Sequence, residues 1–140
     1  MERKLSGPII FWVPLSSLQP SQLYINQEKL DVLQAAIDFS DPVNVPSIPA
    51  KDLDHRWVMT DGHTRAFAAY LAGNTTIPVY LDEDELDWAA YRICVRWCQE
   101  SGIFSIADLA DKVIAPGQYK VLWLDRCRQM QNHLAANRNA

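Results

Sequence analysis

Residues 56–81 read RWVMTDGHTRAFAAYLAGNTTIPVYL, and the hydrophobic period changes twice within that run. The apolar Trp57–Met59 stretch has the length and residue types of a strand. Asp61-Gly62 then interrupts it. From His63 the small and apolar residues Ala66, Phe67, Ala69 and Tyr70 recur at helical spacing. Gly73 stands in the favoured glycine place just past a helix end. The β-branched TTIPVYL at 75–81 follows as another strand. Any fold for this chain must accommodate a strand that turns into a helix at a glycine, and a helix that returns to a strand.

The flanking sequence extends this pattern. PIIFWV (8–13) reads as a first strand, and Pro14 and Pro20 punctuate the loop after it. INQEKLDVLQAAIDF carries Leu30, Leu33, Ala36 and Ile37 at helical spacing, with Asn26 as its cap and Asp41-Pro42 as its end. Two strands, about 43–49 and 56–60, are expected around a polar KDLDH turn, and Pro46 and Pro49 mark the first as an edge or bulged strand. DEDELDWAAYRICVRWCQESG reads as a longer helix with acids crowding its first turn and Gly102 at its end. SIADLADKV reads as a short helix with Ser105 and Asp108 as a capping box. Pro116 starts a last helix whose stripe is Tyr119, Leu122, Trp123, Cys127, Met130 and Leu134. The ANRNA tail reads as frayed. The order is β-α-β-β-α-β and then three helices. Residues 1–82 form a mixed α/β part and 83–140 a helical extension packed on it, giving one compact domain.

Bulk properties narrow the class. At 140 residues the chain is long enough to bury a core without staples. Its net charge of -4 argues against a basic footprint over the whole surface. No apolar run approaches a membrane span, and the start MERKLSGPIIFWVP reaches Pro14 too quickly for a signal peptide. Three cysteines without framework spacing fit a reducing compartment, so a cytoplasmic location is expected.

The turn Asp61-Gly62-His63-Thr64-Arg65 is the candidate site. A helix N-terminus leaves backbone N–H groups unpaired and carries partial positive charge, which suits an anion. Gly62 lets backbone and ligand approach closely. Thr64 adds a hydroxyl, Arg65 a bidentate fork, and His63 a donor or proton carrier. Asp61 would repel a phosphate unless it caps the helix or holds a cation; Mg²⁺ bound partly by Asp61 resolves the conflict. The same five residues also read as an N-cap, a turn and a surface salt bridge.

The stretch from about Leu15 to Leu81 resembles the ParB N-terminal/sulfiredoxin superfamily. LSSLQPSQLYINQEKLDVLQAAI is similar to that family's opening loop and first helix, and PVNVPSI to its next strand. WVMTDGHTRAFAAYLAGNTTIPVYL resembles its signature: a strand, Gly-x-x-Arg, an alanine-rich helix, a glycine, and a strand with Ile-Pro-Val. The resemblance implies a small α+β fold whose turn binds nucleotide phosphates. Partition proteins carry Gly-Glu-Arg-Arg there and bind CTP. Sulfiredoxins carry Gly-Cys-His-Arg with a catalytic cysteine. Free-serine kinases carry Asp-Gly-His-His-Arg and move phosphate from ADP to serine. The turn here is closest to the kinase form. His63 occupies the sulfiredoxin cysteine place, which argues against sulfinic-acid reduction. The kinases place a catalytic glutamate just after the first loop's proline, whereas this chain has Pro20-Ser21-Gln22, and Gln22 cannot be a general base.

Other groups carry weaker signals. Cys94 and Cys98 share a helix face, and with Cys127 they match no common zinc spacing, so buried small hydrophobes are expected. His55 and His133 are isolated and expected to be exposed. LDEDELD holds five acids in seven residues and reads as a solvated helix start. SIADLADKVIAPGQYKVLWLDRCR faintly resembles a helix-turn-helix, within a mildly basic segment (five Lys/Arg, three Asp/Glu over 103–140). Val121, Leu122, Trp123 and Leu124 crowd its would-be recognition helix, so the residues argue against DNA. A helical hairpin packed on the α/β part, or a homodimer interface through Trp97, Trp123 and Met130, is the better expectation.

The fold expected is therefore α+β of the ParB/sulfiredoxin kind with a helical C-terminal extension. The function expected is binding of a nucleotide (ATP, ADP or CTP) or a phosphorylated small molecule. Gly62, His63, Thr64 and Arg65 would cradle phosphate, Asp61 would hold Mg²⁺, and Asp61 and His63 would be the catalytic pair if there is phosphotransfer or nucleotide hydrolysis. The alternatives left open are a non-catalytic regulator of the ParB kind, gated by nucleotide and binding DNA or a partner, and a partner-binding module without the ligand.

Overall fold

The computed structural model describes residues 8–139. The fold is α+β, built on a four-stranded sheet in the order β1-β5-β3-β4. β1 is Ile10–Pro14, β3 Ile48–Leu53, β4 Arg56–Met59 and β5 Thr76–Leu81. β5 pairs antiparallel with β1 and parallel with β3, and β3 pairs antiparallel with β4. The helix α2 (His63–Leu71) crosses from β4 to β5 and lays Ala66, Phe67 and Ala69 into one core with Ile48, Ala50, Met59, Ile77 and Val79. The alternating small residues let helix and sheet approach closely, which is why the alanine-rich run is helical here and not merely compatible with a helix.

β3 departs from the expected edge strand: it lies inside the sheet despite Pro49. Its carbonyl accepts the Thr60 N–H at 3.2 Å, so the proline nitrogen faces the β4 side. The Thr60 carbonyl opposite accepts the Tyr91 hydroxyl, so the donor that proline lacks leaves no acceptor unpaired. Strand structure also begins at Ile48, later than expected, because Pro42–Asn44 winds into a 3₁₀ turn capped by Asp41. The hairpin turn is shorter than KDLDH; Lys51–Leu53 belong to β3, and Asp54 and His55 alone turn, at φ 54° and 67°.

A two-stranded parallel pair was not legible in the pattern: β2 (Ile25–Asn26) with β6 (Val113–Ile114). It pins the end of the SIADLADKV segment beside α1 (Gln27–Ala36), which Asn26 caps through a 3.0 Å bond from the Glu28 N–H. The segment itself is a 3₁₀ turn, Ile106–Leu109, with the expected capping box of Ser105 and Asp108. The helix α3 (Trp88–Glu100) is capped by Asp87 and has no acid in its first turn. The acids of 82–87 instead precede it: Asp82 is buried and holds the backbone through a bond from the Asp84 N–H.

The C-terminal helix runs as α4 (Pro116–Tyr119), a π-helical stretch Lys120–Leu124, and α5 (Asp125–Arg138). The wider π turn shifts the helical phase. Tyr119 and Trp123 are buried and Cys127, Met130 and Leu134 half-buried, while Leu122 falls off the expected stripe and is 44% exposed. Trp123 meets Trp97 of α3 edge-on at 6.1 Å, and Arg126 lies 3.9 Å above the Trp97 ring. Both tryptophans thus pack within the chain. The exposed large apolar residues of this helix are Val121, Leu122 and Leu124.

Gly62 is the most tightly enclosed of the described glycines. Its φ is +77°, and a Cβ there would lie 2.6 Å from Ile48 Cγ2. Gly73, at φ +94°, has open space around the same position. Gly62→Ala is therefore expected to destabilise by about 3 kcal/mol, from strain and overpacking together. Gly73→Ala should cost about 1 kcal/mol, from backbone strain alone. Urea denaturation of the two variants checks the difference.

Candidate functional site

The β4-to-α2 turn is positioned by hydrogen bonds to Ser21, Asp82 and Tyr91. The Ser21 Oγ–H donates to the Met59 carbonyl at 2.6 Å, and the Ser21 N–H donates to His63 Nε2 at 2.9 Å. The Thr60 hydroxyl donates to Asp82 at 2.6 Å, and the Tyr91 hydroxyl donates to the Thr60 carbonyl at 2.9 Å. Loop, strand end and α3 thus converge on residues 59–63. The turn itself follows from Gly62, whose left-handed backbone lets α2 begin at His63 immediately after β4.

Beside this turn lies a cavity of about 340 Å³. Ser21, Gln22, Thr60, Asp61 and His63 line it from the α/β part. Tyr91 and Cys94 of α3 line it from a second side, and Trp123, Cys127 and Met130 of the C-terminal helix from a third. The structure therefore brings Asp61 and His63 into one cavity. Gly62, Thr64 and Arg65 are not part of its wall. Arg65 folds back against the turn. Its Nη1 donates to the Ser47 carbonyl at 3.1 Å, and its Nη2 lies 3.0 Å from where a Gly62 Cβ would be. One edge of the guanidinium thus anchors the chain ahead of β3, and the group remains against the first turn of α2.

The N–H groups of His63, Thr64 and Arg65 precede the first intrahelical bond, from the Ala66 N–H to the Gly62 carbonyl. No side chain among the described residues caps this end. Asp61, though next to it, is exposed and accepts from the Gly62 N–H at 2.7 Å. That contact uses one carboxylate oxygen and leaves the three helix amides open. Among the described residues no cluster of three His, Cys, Asp or Glu groups could hold a metal ion. Asp61 could supply one carboxylate to Mg²⁺, with the remaining ligands from phosphate and water, which is a common way of binding that ion.

His63 is a different chemical group from the one its sequence position suggested. It is buried at the head of α2, and burial pushes its pKa down to about 4, against the opposing pull of Asp61. At neutral pH the ring is uncharged. Its Nε2 accepts the Ser21 amide, so the proton sits on Nδ1. His63 is thus a hydrogen-bond donor and a brace for residue 21, with no free basic nitrogen. Asp61 is the carboxylate of the original set that faces the cavity. Gln22 also lines it, and its amide donates to the Tyr24 carbonyl at 2.8 Å. Glu28 is exposed on α1 and does not line the cavity.

Sequence reasoning missed Ser21, Thr60, Asp82 and Tyr91. Each is unremarkable in its own segment, and only the tertiary crossing makes it part of the site. The cysteines are buried or half-buried thiols, as their spacing suggested; burial raises Cys98 to about 12, and Cys94 is raised by its contact with Cys127 and by burial. His55 and His133 are exposed.

Among the solved structures that resemble the chain are two of low identity. One is protein Atu1540 from Agrobacterium tumefaciens, with a TM-score of 0.45 and 9% identity over 71% of this chain and 52% of that one. The other is the C-terminally truncated chromosome-partitioning protein ParB from Caulobacter crescentus in complex with CTP-gamma-S, with a TM-score of 0.44 and 19% identity over 66% of this chain and 53% of that one. The chain spans about half the length of each. No family model matches the sequence, and no curated protein does. Among the described residues no helix is long and apolar enough to cross a membrane.

The buried imidazole sets a pH dependence. The unfolded ring takes up a proton near its ordinary 6.5, and the folded one only near 4. Stability contributed by the neutral ring is therefore whole above pH 6.5 and is lost as pH falls toward 4, by about 3 kcal/mol in all. His63→Gln keeps an acceptor for Ser21 and cannot titrate. Its urea midpoint, measured from pH 7.5 to 4.5, should fall less steeply than that of the natural chain.

Proposed function

We propose that the chain is a ParB-like domain that binds a nucleotide or another phosphorylated small molecule at the head of α2. The observation that carries this reading is the uncapped first turn of α2, whose first residue, His63, lines a 340 Å³ cavity. A phosphate seated there would meet the N–H groups of His63, Thr64 and Arg65, the Thr64 hydroxyl and the near edge of the Arg65 guanidinium. Gly62 supplies the left-handed turn from which those amides start. The body of the ligand would lie in the cavity, against Tyr91, Trp123 and Met130. Asp61 at the rim would share a Mg²⁺ ion with the phosphates or orient an acceptor hydroxyl. His63 would act through Nδ1–H as a donor. The Asp-Gly-His-Thr-Arg resemblance supports ATP, ADP or CTP as the ligand class.

Mg²⁺-dependent phosphotransfer is the finer version of this reading, with Asp61 as its general base, because Gln22 cannot serve and His63 has its accepting nitrogen occupied. The second reading is a non-catalytic regulator in which nucleotide occupancy changes how the C-terminal helix sits. It is favoured by one observation: Trp123, Cys127 and Met130 of that helix form a wall of the same cavity. A second copy of the chain would then meet the exposed Val121, Leu122 and Leu124.

Calorimetry with ATP, ADP and CTP, with and without Mg²⁺, is expected to give saturable binding for at least one of them. Arg65→Ala should weaken it roughly tenfold or more, the worth of a lost charge-assisted bond. Its far-ultraviolet dichroism should stay unchanged. Heat absent with all three nucleotides would remove this reading. Phosphate release, or transfer to an added hydroxyl acceptor such as serine, separates the enzyme from the regulator.

A further inference from the structure

We propose that a second anion site lies in the cleft between the β3–β4 hairpin and α3, for a phosphate group carried on a small molecule. The cleft measures about 320 Å³, and Arg56, Arg92 and Arg96 all line it. Leu53, Val58 and Val95 supply apolar wall. Such a concentration is unexpected in a chain with a net charge of -4 and thirteen Lys and Arg in total.

The charges do not balance locally. Arg92 and Arg96 stand four residues apart on one face of α3, where like charges repel. Asp54 is the carboxylate in the cleft, and it pairs with Arg92 at 3.2 Å. Both partners are at least half exposed, so the pair is weak and easily exchanged for another anion. Arg96 makes no ion pair among the described residues. Arg56 donates from Nη2 to the Phe104 carbonyl at 3.1 Å, while its Nε is buried without a partner. An arginine held by one bond and left one donor short is costly unless something nearby compensates its charge.

The hairpin turn sets the geometry of the cleft. Asp54 and His55 both adopt the left-handed backbone that a two-residue hairpin turn requires. Here it sets Asp54 beside Arg92 and brings the Arg56 end of β4 toward α3.

A compact phosphate fits better than a polyanion. Asp52, Asp54 and Glu100 are exposed on the same two elements, so a long chain of phosphates leaving the cleft would run into carboxylates. The site does not share residues with the α2 turn and is independent of the function proposed there.

Inorganic pyrophosphate is the probe. Titrated into the full chain labelled with ¹⁵N, it should move the arginine Nε–H resonance of Arg56 in a saturable way. Arg96→Gln, at an exposed position that leaves the fold alone, should weaken that binding roughly tenfold, and Arg92→Gln similarly. Arg65→Ala should leave it unchanged. No movement of the Arg56 signal, or movement that Arg96→Gln leaves intact, overturns the proposal. So does saturable binding of a single-stranded oligonucleotide through these arginines with pyrophosphate silent, which would assign the cleft to nucleic acid.

Discussion

The site depends on one buried hydrogen bond, from the Ser21 amide to an uncharged imidazole. His63 opens α2, and Ser21 lies in the loop that crosses the end of β4. Ser21 holds the carbonyl of Met59 with its hydroxyl and the ring of His63 with its amide, so one residue clamps both sides of the turn. The bond requires a neutral ring, because a protonated imidazole has no lone pair to offer. Burial enforces that state. Charging the ring would leave a buried amide unpaired and an unsolvated cation at the positive end of a helix.

A neutral His63 also decides how charge is arranged around the turn. The helix end keeps its partial positive charge on three free amides. Asp61 is spent partly on the Gly62 amide and faces outward. Arg65 is outside the cavity wall, against Gly62 and tied to Ser47. Positive potential thus lies along the backbone of the first turn, with Asp61 next to it and Asp87, paired with Arg138, elsewhere on the cavity wall. That polarity suits a ligand whose anionic group sits at the helix end and whose uncharged body extends toward α3.

The fold was legible where periodicity is local and complete. Gly62 and Gly73 bracket a nine-residue helix whose alanines state both its type and its buried face. The Asn26 cap and the Ser105–Asp108 box were readable because a cap is a contact between residues a few positions apart. Pro49 misled because proline in a strand is judged by its own residue type, while its tolerance depends on whether the carbonyl opposite has another donor. The β2–β6 pair was invisible because two residues carry no pattern. Leu122 fell off its stripe because a π turn changes the period within the helix. At the site, Asp61, Gly62 and His63 stood out as a string, but the brace formed by Ser21, Thr60, Asp82 and Tyr91 is spread over some 70 residues of chain. No spacing rule links those positions; they meet because β4, α2, β5 and α3 share one corner.

The same corner joins the two cavities. The N–H of Gln19 donates to the Trp57 carbonyl and its carbonyl accepts from the Met59 N–H, so the chain at residue 19 runs against β4. Two residues later Ser21 lines the cavity at the α2 turn. The Gln19 side chain is fully buried, donating to the Pro20 and Ile103 carbonyls and accepting from Gln99, which lines the arginine cleft. Residues 19–21 therefore run between the two cavities, Ser21 lining one and Gln19 bonded to Gln99 of the other, and are fixed by backbone bonds on one side and side-chain bonds on the other. A segment so over-determined has little freedom left to lose when a ligand arrives, and preorganisation of this kind lowers the ordering cost of binding. α3, which contributes side chains to both cavities, is then the element through which a motion would link them, and not the segment between.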